Sequence, residues 1–197
     1  AKPLDRIVTS LRFYSTAQNA LRKAGITSPT YIYGSVADLL ASKGSDVDLL
    51  LVSEGDWDEI ERKLPQFHLA FVTPKYLQNL DSFFIYSILR RGVPLISGVE
   101  IADASFDPKK LLAEALQTYE TAWADGRAYE PQLLDAAGLA AKYILYQKGI
   151  LPPTSSIGAI FELAKVDENY LGVFRNLEVR PIEDTAKEVI GWARKTR

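Results

Sequence analysis

The feature that most constrains the fold is a change of pattern halfway along the chain. Four short apolar runs rich in β-branched or aromatic residues lie in the first hundred residues: TYIY at 30–33, VDLLLV at 47–52, FHLAFV at 67–72 and VPLIS at 93–97. Runs of this length and composition favour strands. Helical spacing precedes and separates them, over residues 4–24, 56–64 and 74–92. The alternation predicts an α+β unit: a small mixed β-sheet with flanking helices.

After this unit the strand pattern stops. Residues 109–126, 129–149, 155–174 and 181–197 all carry helical spacing, and each segment is bounded by Gly, Pro or Asn. This half of the chain therefore predicts an all-α helical bundle. We expect two domains, 1–98 and 107–197, with the boundary in the loop around residues 99–107.

Composition removes several classes of function. The 197 residues include no cysteine and one histidine, which excludes disulfides, thiolate metal sites and a histidine-based zinc cluster. The net charge of −2 gives no basic field, so we do not expect a nucleic-acid partner. No apolar run approaches the length of a membrane span, and the N-terminus lacks the apolar block of a signal peptide. We expect a cytoplasmic protein.

The most informative stretch is YGSVADLLASKGSDVDLLLV at 33–52. Asp46 and Asp48 lie two residues apart at the start of a strand, so their carboxylates point the same way and repel unless a cation lies between them. Oxygen ligands favour a hard ion, Mg²⁺ or Mn²⁺. Gly34 permits close backbone approach to a ligand, and Ser35 begins a predicted helix whose amides favour a phosphate. The pattern predicts a phosphate bridged by metal to both aspartates.

The loop between these two pairs of residues leaves alternatives open. Residues 43–46, KGSD, are also typical of a hairpin turn in which the aspartates only cap the turn. Lys43 either neutralises a bound triphosphate or is a solvated lysine. Ser45 is a further candidate phosphate contact beside Asp46.

The same stretch resembles the signature of the polymerase-beta-type nucleotidyltransferases, in the small prokaryotic form called the minimal nucleotidyltransferase. The matching residues are Tyr33, Gly34, Ser35, Asp46 and Asp48, and the resemblance covers roughly residues 5–98. It implies that the aspartates bind two metal ions and that Ser35 with nearby amides holds the triphosphate of a nucleoside triphosphate. It also implies transfer of a nucleoside monophosphate to a hydroxyl acceptor, a small molecule or a protein, with release of pyrophosphate.

Two positions depart from that family pattern. Active members have a third carboxylate on a later strand, whereas the corresponding run, FHLAFV, offers only His68 as a polar residue. His68 is either a substitute base or a histidine at a strand edge that bonds its neighbours. Asp38 follows Gly-Ser where many members have arginine, and an acid beside a triphosphate is unfavourable unless it points away or joins the metal site.

The helical half resembles a HEPN domain in AAKYILYQKGILPPTSSIGAIFELAK and YLGVFRNLEV. Arg175 and Asn176 match that family's ribonuclease segment, but no histidine follows His68, so the resemblance implies a degenerate domain without that chemistry. Substrate binding or homodimer formation is the alternative role for this half. Two hypotheses therefore stand: a nucleotidyltransferase, or a catalytically degenerate nucleotide-binding or protein-interaction module of the toxin–antitoxin kind.

Overall fold

The structure is a computed structural model that describes residues 3–123, 126–170, 172 and 181–196. The chain divides into two compact units, residues 1–106 and residues 107–197. The first unit is a mixed four-stranded sheet with helices, and the second is a cluster of helices, so the predicted α+β fold class is confirmed. Arg175 and Asn176, on which the HEPN resemblance depends, lie outside the described residues.

The N-terminal unit contains each predicted strand within one or two residues of its expected bounds. In chain order its elements are α1 (Pro3–Lys23), β1 (Thr30–Tyr33), α2 (Gly34–Ala37), β2 (Asp48–Val52), α3 (Trp57–Lys63), β3 (His68–Val72), a 3₁₀ turn (Tyr76–Asn79), α4 (Phe83–Arg91) and β4 (Val93–Ile96). The sheet order is β3-β2-β1-β4, with β2 and β3 parallel and the other two pairings antiparallel.

The sheet has an apolar cluster on each face because successive side chains of a strand alternate. The first face carries Ile32, Leu49 and Leu51, which pack with Ala17 and Leu21 of α1. The second face carries three buried strand residues, which pack with Ile88 of α4: Tyr31, Leu50 and Val52. With a helix on either side, both faces of the central strands β1 and β2 are buried.

The predicted helix over residues 74–92 is wrong in one respect. Thr73 acts as a cap, since its Oγ1 accepts from the backbone N–H of Tyr76 at 3.1 Å, but it starts only the 3₁₀ turn. The chain is not helical from Leu80 to Ser82, and α4 begins at Phe83, where Ser82 Oγ accepts from the N–H of Ile85 at 3.1 Å. Ser82 is therefore the N-cap of α4.

The C-terminal unit consists of α5 (Pro108–Ala122), α6 (Glu130–Gln147), α7 (Ser156–Val166), a 3₁₀ turn (Glu168–Tyr170) and α8 (Ile182–Lys195). No strand occurs among the residues of this unit that the structure describes. Its core is built around α6, where small side chains permit close approach: Ala136, Ala137, Ala140 and Ala141 are all fully buried. Gly138 lies directly against Ser156 at the start of α7. No helix in the described parts of the chain is long and apolar enough to cross a membrane.

Candidate functional site

The candidate site lies at one end of the sheet, where three strands place a residue side by side. Asp48, the first residue of β2, is the register partner of Tyr33 at the end of β1 and of His68 at the start of β3. Directly paired residues project to the same face of a sheet. The row Tyr33–Asp48–His68 therefore continues the second face, beyond the apolar cluster formed by Tyr31, Leu50 and Val52.

Asp48 is the most constrained group in this row. Its side chain is 23% exposed, and its Oδ1 lies 3.2 Å from Nδ1 of His68, whose side chain is 78% exposed. Burial raises the pKa of the Asp48 carboxyl, and the negative charge of Asp46 acts in the same direction. The hydrogen bond and the charge of His68 oppose this increase in the pKa of Asp48. His68 is thus the neighbour that stabilises the ionised carboxylate.

Gly34 occupies the other side of the same carboxylate. Its φ of +77° is in the left-handed region that favours glycine. A Cβ at this position would lie 2.6 Å from Oδ2 of Asp48, closer than any ordinary contact. The two oxygens of Asp48 therefore have different neighbours: Oδ1 faces the His68 ring, and Oδ2 faces the backbone of Gly34. The fold brings the Gly-Ser pair and the second aspartate of the motif into direct contact.

The helix predicted to begin at Gly34-Ser35 is present, but it is a single turn, Gly34–Ala37. One turn aligns few peptide dipoles, so any preference for a phosphate at half-buried Ser35 would depend on local backbone amides and its hydroxyl. Asp38 ends this turn, and its charge, after the larger effect of burial, raises the pKa of Tyr14. Tyr14 packs on the first face of the sheet, whereas Asp48 lies on the second.

The loop from Leu39 to Val47 carries the remaining predicted residues. It contains a turn over residues 42–45, in which Ser45 Oγ accepts from the backbone N–H of Ser42 at 2.9 Å. Ser45 is therefore engaged in the turn itself. Lys43 and Asp46 are both exposed, and Asp46 is close enough for its charge to affect the pKa of Asp48. No described contact joins Lys43 to the Asp48 carboxylate.

The described residues supply two carboxylates and a histidine here, not three acids. β3 contributes only His68 beside Asp48, as the sequence predicts. Within the described ranges, no group of three or more His, Asp or Glu side chains is arranged to hold a metal ion by itself. A cation at this site would therefore need further oxygen ligands from a bound molecule or from water.

Two aromatic residues, Tyr33 and its ring neighbour Phe84, have contacts here that the sequence does not reveal. Tyr33 is half-buried, and burial together with the charge of Asp48 raises its pKa to about 12, so its phenol stays protonated. The ring of Phe84, at the start of α4, meets the ring of Tyr33 edge to face at 5.5 Å between centroids. Phe84 is nevertheless 44% exposed. Its contact with Tyr33 depends on how α4 packs across the sheet, which no local pattern reports.

The comparisons with known proteins identify no family for the chain. Its sequence matches no protein-family model, and no curated protein resembles it at a significant level. The resemblance of residues 33–52 to a nucleotidyltransferase signature therefore rests on the motif alone.

Proposed function

We propose that the protein is a nucleotidyltransferase-like protein that binds a nucleoside triphosphate with magnesium at Gly34, Ser35, Asp46 and Asp48. The observation that carries the proposal is the contact between Gly34 and Asp48, in which a left-handed glycine lies against the Oδ2 of a half-buried carboxylate. A side chain at position 34 would fill this space. A backbone that approaches a carboxylate so closely suits a phosphate that a metal ion would bridge to this carboxylate. The backbone amides and the metal could then both reach the phosphate oxygens.

The donor set fits Mg²⁺ or Mn²⁺. Magnesium in proteins is commonly held by one or two carboxylates together with substrate phosphates and water, without a complete cage of protein ligands. Asp46 and Asp48 are two such carboxylates, and Oδ2 of Asp48 is the oxygen that does not face His68. Bound there with a nucleotide, the ion would neutralise charge that develops on the transferred phosphoryl group and on pyrophosphate.

We propose transfer of a nucleoside monophosphate to a hydroxyl acceptor. The acceptor oxygen forms a bond to the α-phosphorus, the bond from that phosphorus to the bridging oxygen of the β-phosphate breaks, and pyrophosphate leaves with the electron pair. The hydroxyl proton needs a base. When Nδ1–H of His68 donates a hydrogen bond to Asp48, Nε2 carries the lone pair that can accept the hydroxyl proton. The aspartate then stabilises the resulting imidazolium.

A second candidate has its own supporting observation. Among the described residues no third carboxylate joins Asp46 and Asp48, and an exposed histidine stands at the position beside them. This arrangement is suited to holding a nucleotide without efficient turnover. The alternative proposal is a degenerate nucleotide-binding or protein-interaction module of the toxin–antitoxin kind, in which the helical unit contacts the partner or forms a homodimer. For either role we propose the cytoplasm, where nucleoside triphosphates are available.

Binding separates these proposals from an unrelated function. Isothermal titration with ATP, CTP, GTP and UTP plus Mg²⁺ is compared for the wild type and for the double variant Asp46→Asn, Asp48→Asn. We expect the variant to lose at least about tenfold in affinity, because two charged metal ligands become neutral amides. The control Asp58→Asn, on α3, removes a carboxylate outside the site and should bind as wild type. Equal binding by wild type and double variant would refute the metal-site assignment.

Turnover then separates the two candidates from each other. Release of labelled pyrophosphate is followed with candidate hydroxyl acceptors, small molecules first and proteins second. Release that depends on Asp48 and falls with His68→Ala supports the transferase. Tight nucleotide binding without release for any acceptor supports the degenerate module.

A further inference from the structure

The side of α1 that faces away from the sheet carries an apolar stripe that the core does not use. Four exposed residues at helical spacing, over about two turns, form this outward stripe: Leu4, Ile7, Val8 and Leu11. Leu4 is 68% exposed and Leu11 is 51% exposed. The opposite side of the same helix packs on the first face of the sheet through Ala17 and Leu21. α1 therefore has two apolar sides in its first half, and only one of them is buried.

The outward stripe ends where this side of α1 becomes polar. The next positions on the same side are Ser15, Gln18 and Arg22, all exposed. Single exposed apolar residues are normal, but a contiguous exposed apolar patch is typical of a contact with another macromolecule. α1 covers the first face of the sheet, whereas the row that contains Asp48 continues the second face. The stripe is therefore a surface separate from the candidate site.

Two residues of opposite charge border the outward stripe on one flank. Asp5 and Arg12 are exposed and lie seven residues apart, about two helical turns, so they project from the same side of α1. Among the described residues, neither takes part in an ion pair. A second copy of this helix that runs in the reverse direction would present its base to this acid and its acid to this base. The bordered stripe is thus complementary to itself.

We infer that the outward stripe binds a second copy of the chain, with the two α1 helices antiparallel about a two-fold axis. In the register that sets Leu4 of one copy opposite Leu11 of the other, Asp5 and the Arg12 of the second copy differ by about 3 Å along the helix axis, which an arginine side chain spans. The symmetry forms this ion pair twice. A parallel pair would instead place the charged flanks of the two copies on opposite sides of the interface.

The size of the stripe sets the strength of this association. Standard protein interfaces bury at least about 1,200 Å² in total, and smaller ones belong to weak or transient complexes. Two turns of one helix from each copy form a small interface, so we expect a Kd of about 10–100 µM. The inference goes beyond the proposed function and does not depend on it, because no residue of the stripe belongs to the nucleotide site.

The first test measures association of the full chain by sedimentation equilibrium between about 5 and 500 µM. The wild type should change from monomer to dimer over this range. Leu11→Glu should weaken the dimer at least about tenfold, because a charge replaces an apolar contact in each copy. The matched control is Gln18→Glu, which places the same side chain on the polar part of the same side and should associate as wild type. Far-UV circular dichroism checks that both variants keep their helices.

The second test examines the ion pairs by mixing two variants. Asp5→Lys makes both members of each pair positive, and Arg12→Glu makes both negative, so each variant alone should dimerise at least about threefold more weakly than wild type. In an equimolar mixture, opposite charges face each other again at both pairs, and the dimer should return. Any effect of a substitution on the helix itself is the same alone and in the mixture. Absence of a gain on mixing would refute the antiparallel arrangement.

The third test reads the direction of the helices from cross-linking, since the chain has no cysteine of its own. Val8 would lie beside the two-fold axis, so Val8→Cys should form a disulfide-linked dimer under mild oxidation. Ser15→Cys would meet its copy only in a parallel pair and should stay monomeric. A disulfide in Ser15→Cys and none in Val8→Cys would overturn the arrangement.

Two further outcomes would refute the inference as a whole. A wild type that dimerises equally well as Leu11→Glu would associate through another surface. A wild type that stays monomeric at every concentration would exclude the second copy as the occupant. If this monomer co-sediments with vesicles of phosphatidylglycerol and phosphatidylcholine, and Leu11→Glu does not, the outward stripe is a lipid-binding surface instead.

Discussion

The substitution Gly34→Ala tests the central contact of the site. At φ +77° an alanine must adopt the left-handed backbone, which costs about 1–2 kcal/mol relative to glycine. Its Cβ would also lie 2.6 Å from Oδ2 of Asp48, so the carboxylate has to rotate away. That rotation breaks the hydrogen bond to His68, a partly exposed interaction of about 0.5–1 kcal/mol. Together we expect a loss of about 1.5–3 kcal/mol in the free energy of unfolding.

Gly25→Ala is the matched control for the backbone effect. Gly25 belongs to the same unit and has φ +70°, but a Cβ there would meet nothing within 4 Å. It should therefore cost only the backbone part, about 1–2 kcal/mol. The chain has two units, so unfolding in urea is followed by ¹⁹F NMR of 5-fluorotryptophan at Trp57, the one tryptophan in residues 1–106.

The difference in free energy of unfolding between the two glycine variants tests the contact between Gly34 and Asp48. If Gly34→Ala destabilises the N-terminal unit no more than Gly25→Ala does, the close approach of Gly34 to Asp48 is refuted, and the main support for the proposed function is lost with it. If Gly34→Ala destabilises the N-terminal unit more than Gly25→Ala does, the affinity of the Gly34→Ala variant for ATP with Mg²⁺ should fall as well, since the carboxylate no longer holds its position.

Two further predictions concern stability. Burial raises the folded-state pKa of Asp48, so the folded protein binds a proton there more tightly than the unfolded chain does. The contribution of Asp48 to the free energy of unfolding should therefore fall as pH rises from the unfolded pKa, near 3.8, through the folded pKa. In the presence of a chelator, the free energy of unfolding of Asp48→Asn relative to the wild type should increase as pH rises through this range, because the variant lacks the falling contribution; a relative decrease would contradict the sign. Gly138→Ala should destabilise the helical unit by about 2–3 kcal/mol, because its Cβ would lie 2.6 Å from Cα of Ser156 and force α6 from α7. Gly191→Ala, in open space within α8, should instead stabilise it by about 0.5–1 kcal/mol, and the same sign for both in thermal unfolding would rule out the packing argument.

The sequence predicted the strands and motif residues of the candidate site better than it predicted which residues contact one another there. Strand composition and the Gly-Ser and Asp-x-Asp spacing place Gly34 at the end of β1 and Asp48 at the start of β2, and these are local signals. The hydrogen bond between Asp48 and His68 depends on the parallel register of β2 with β3, which distant residues determine. The same apolar patterns are compatible with several registers, so this pairing needed the structure.

The misplaced helix boundary has a similar cause. Residues 74–92 carry helical spacing throughout, and Thr73 with Pro74 is a valid start signal. In the folded chain the Ser82 cap and the burial of Ile85 and Ile88 on the sheet determine where α4 begins. Tertiary packing thus overrides a continuous local preference, and it also brings Phe84 to Tyr33.

The contact between Gly34 and Asp48 has a consequence for how the two positions tolerate change. Each substitution alters the cost of the other, so their effects on stability are not additive. Once Asp48 is replaced by alanine, no carboxylate oxygen remains to meet a Cβ at position 34, and Gly34→Ala then costs little more than its backbone conformation. The order of the two substitutions therefore matters: replacement of the aspartate first makes position 34 permissive, whereas replacement of the glycine first damages an otherwise intact site.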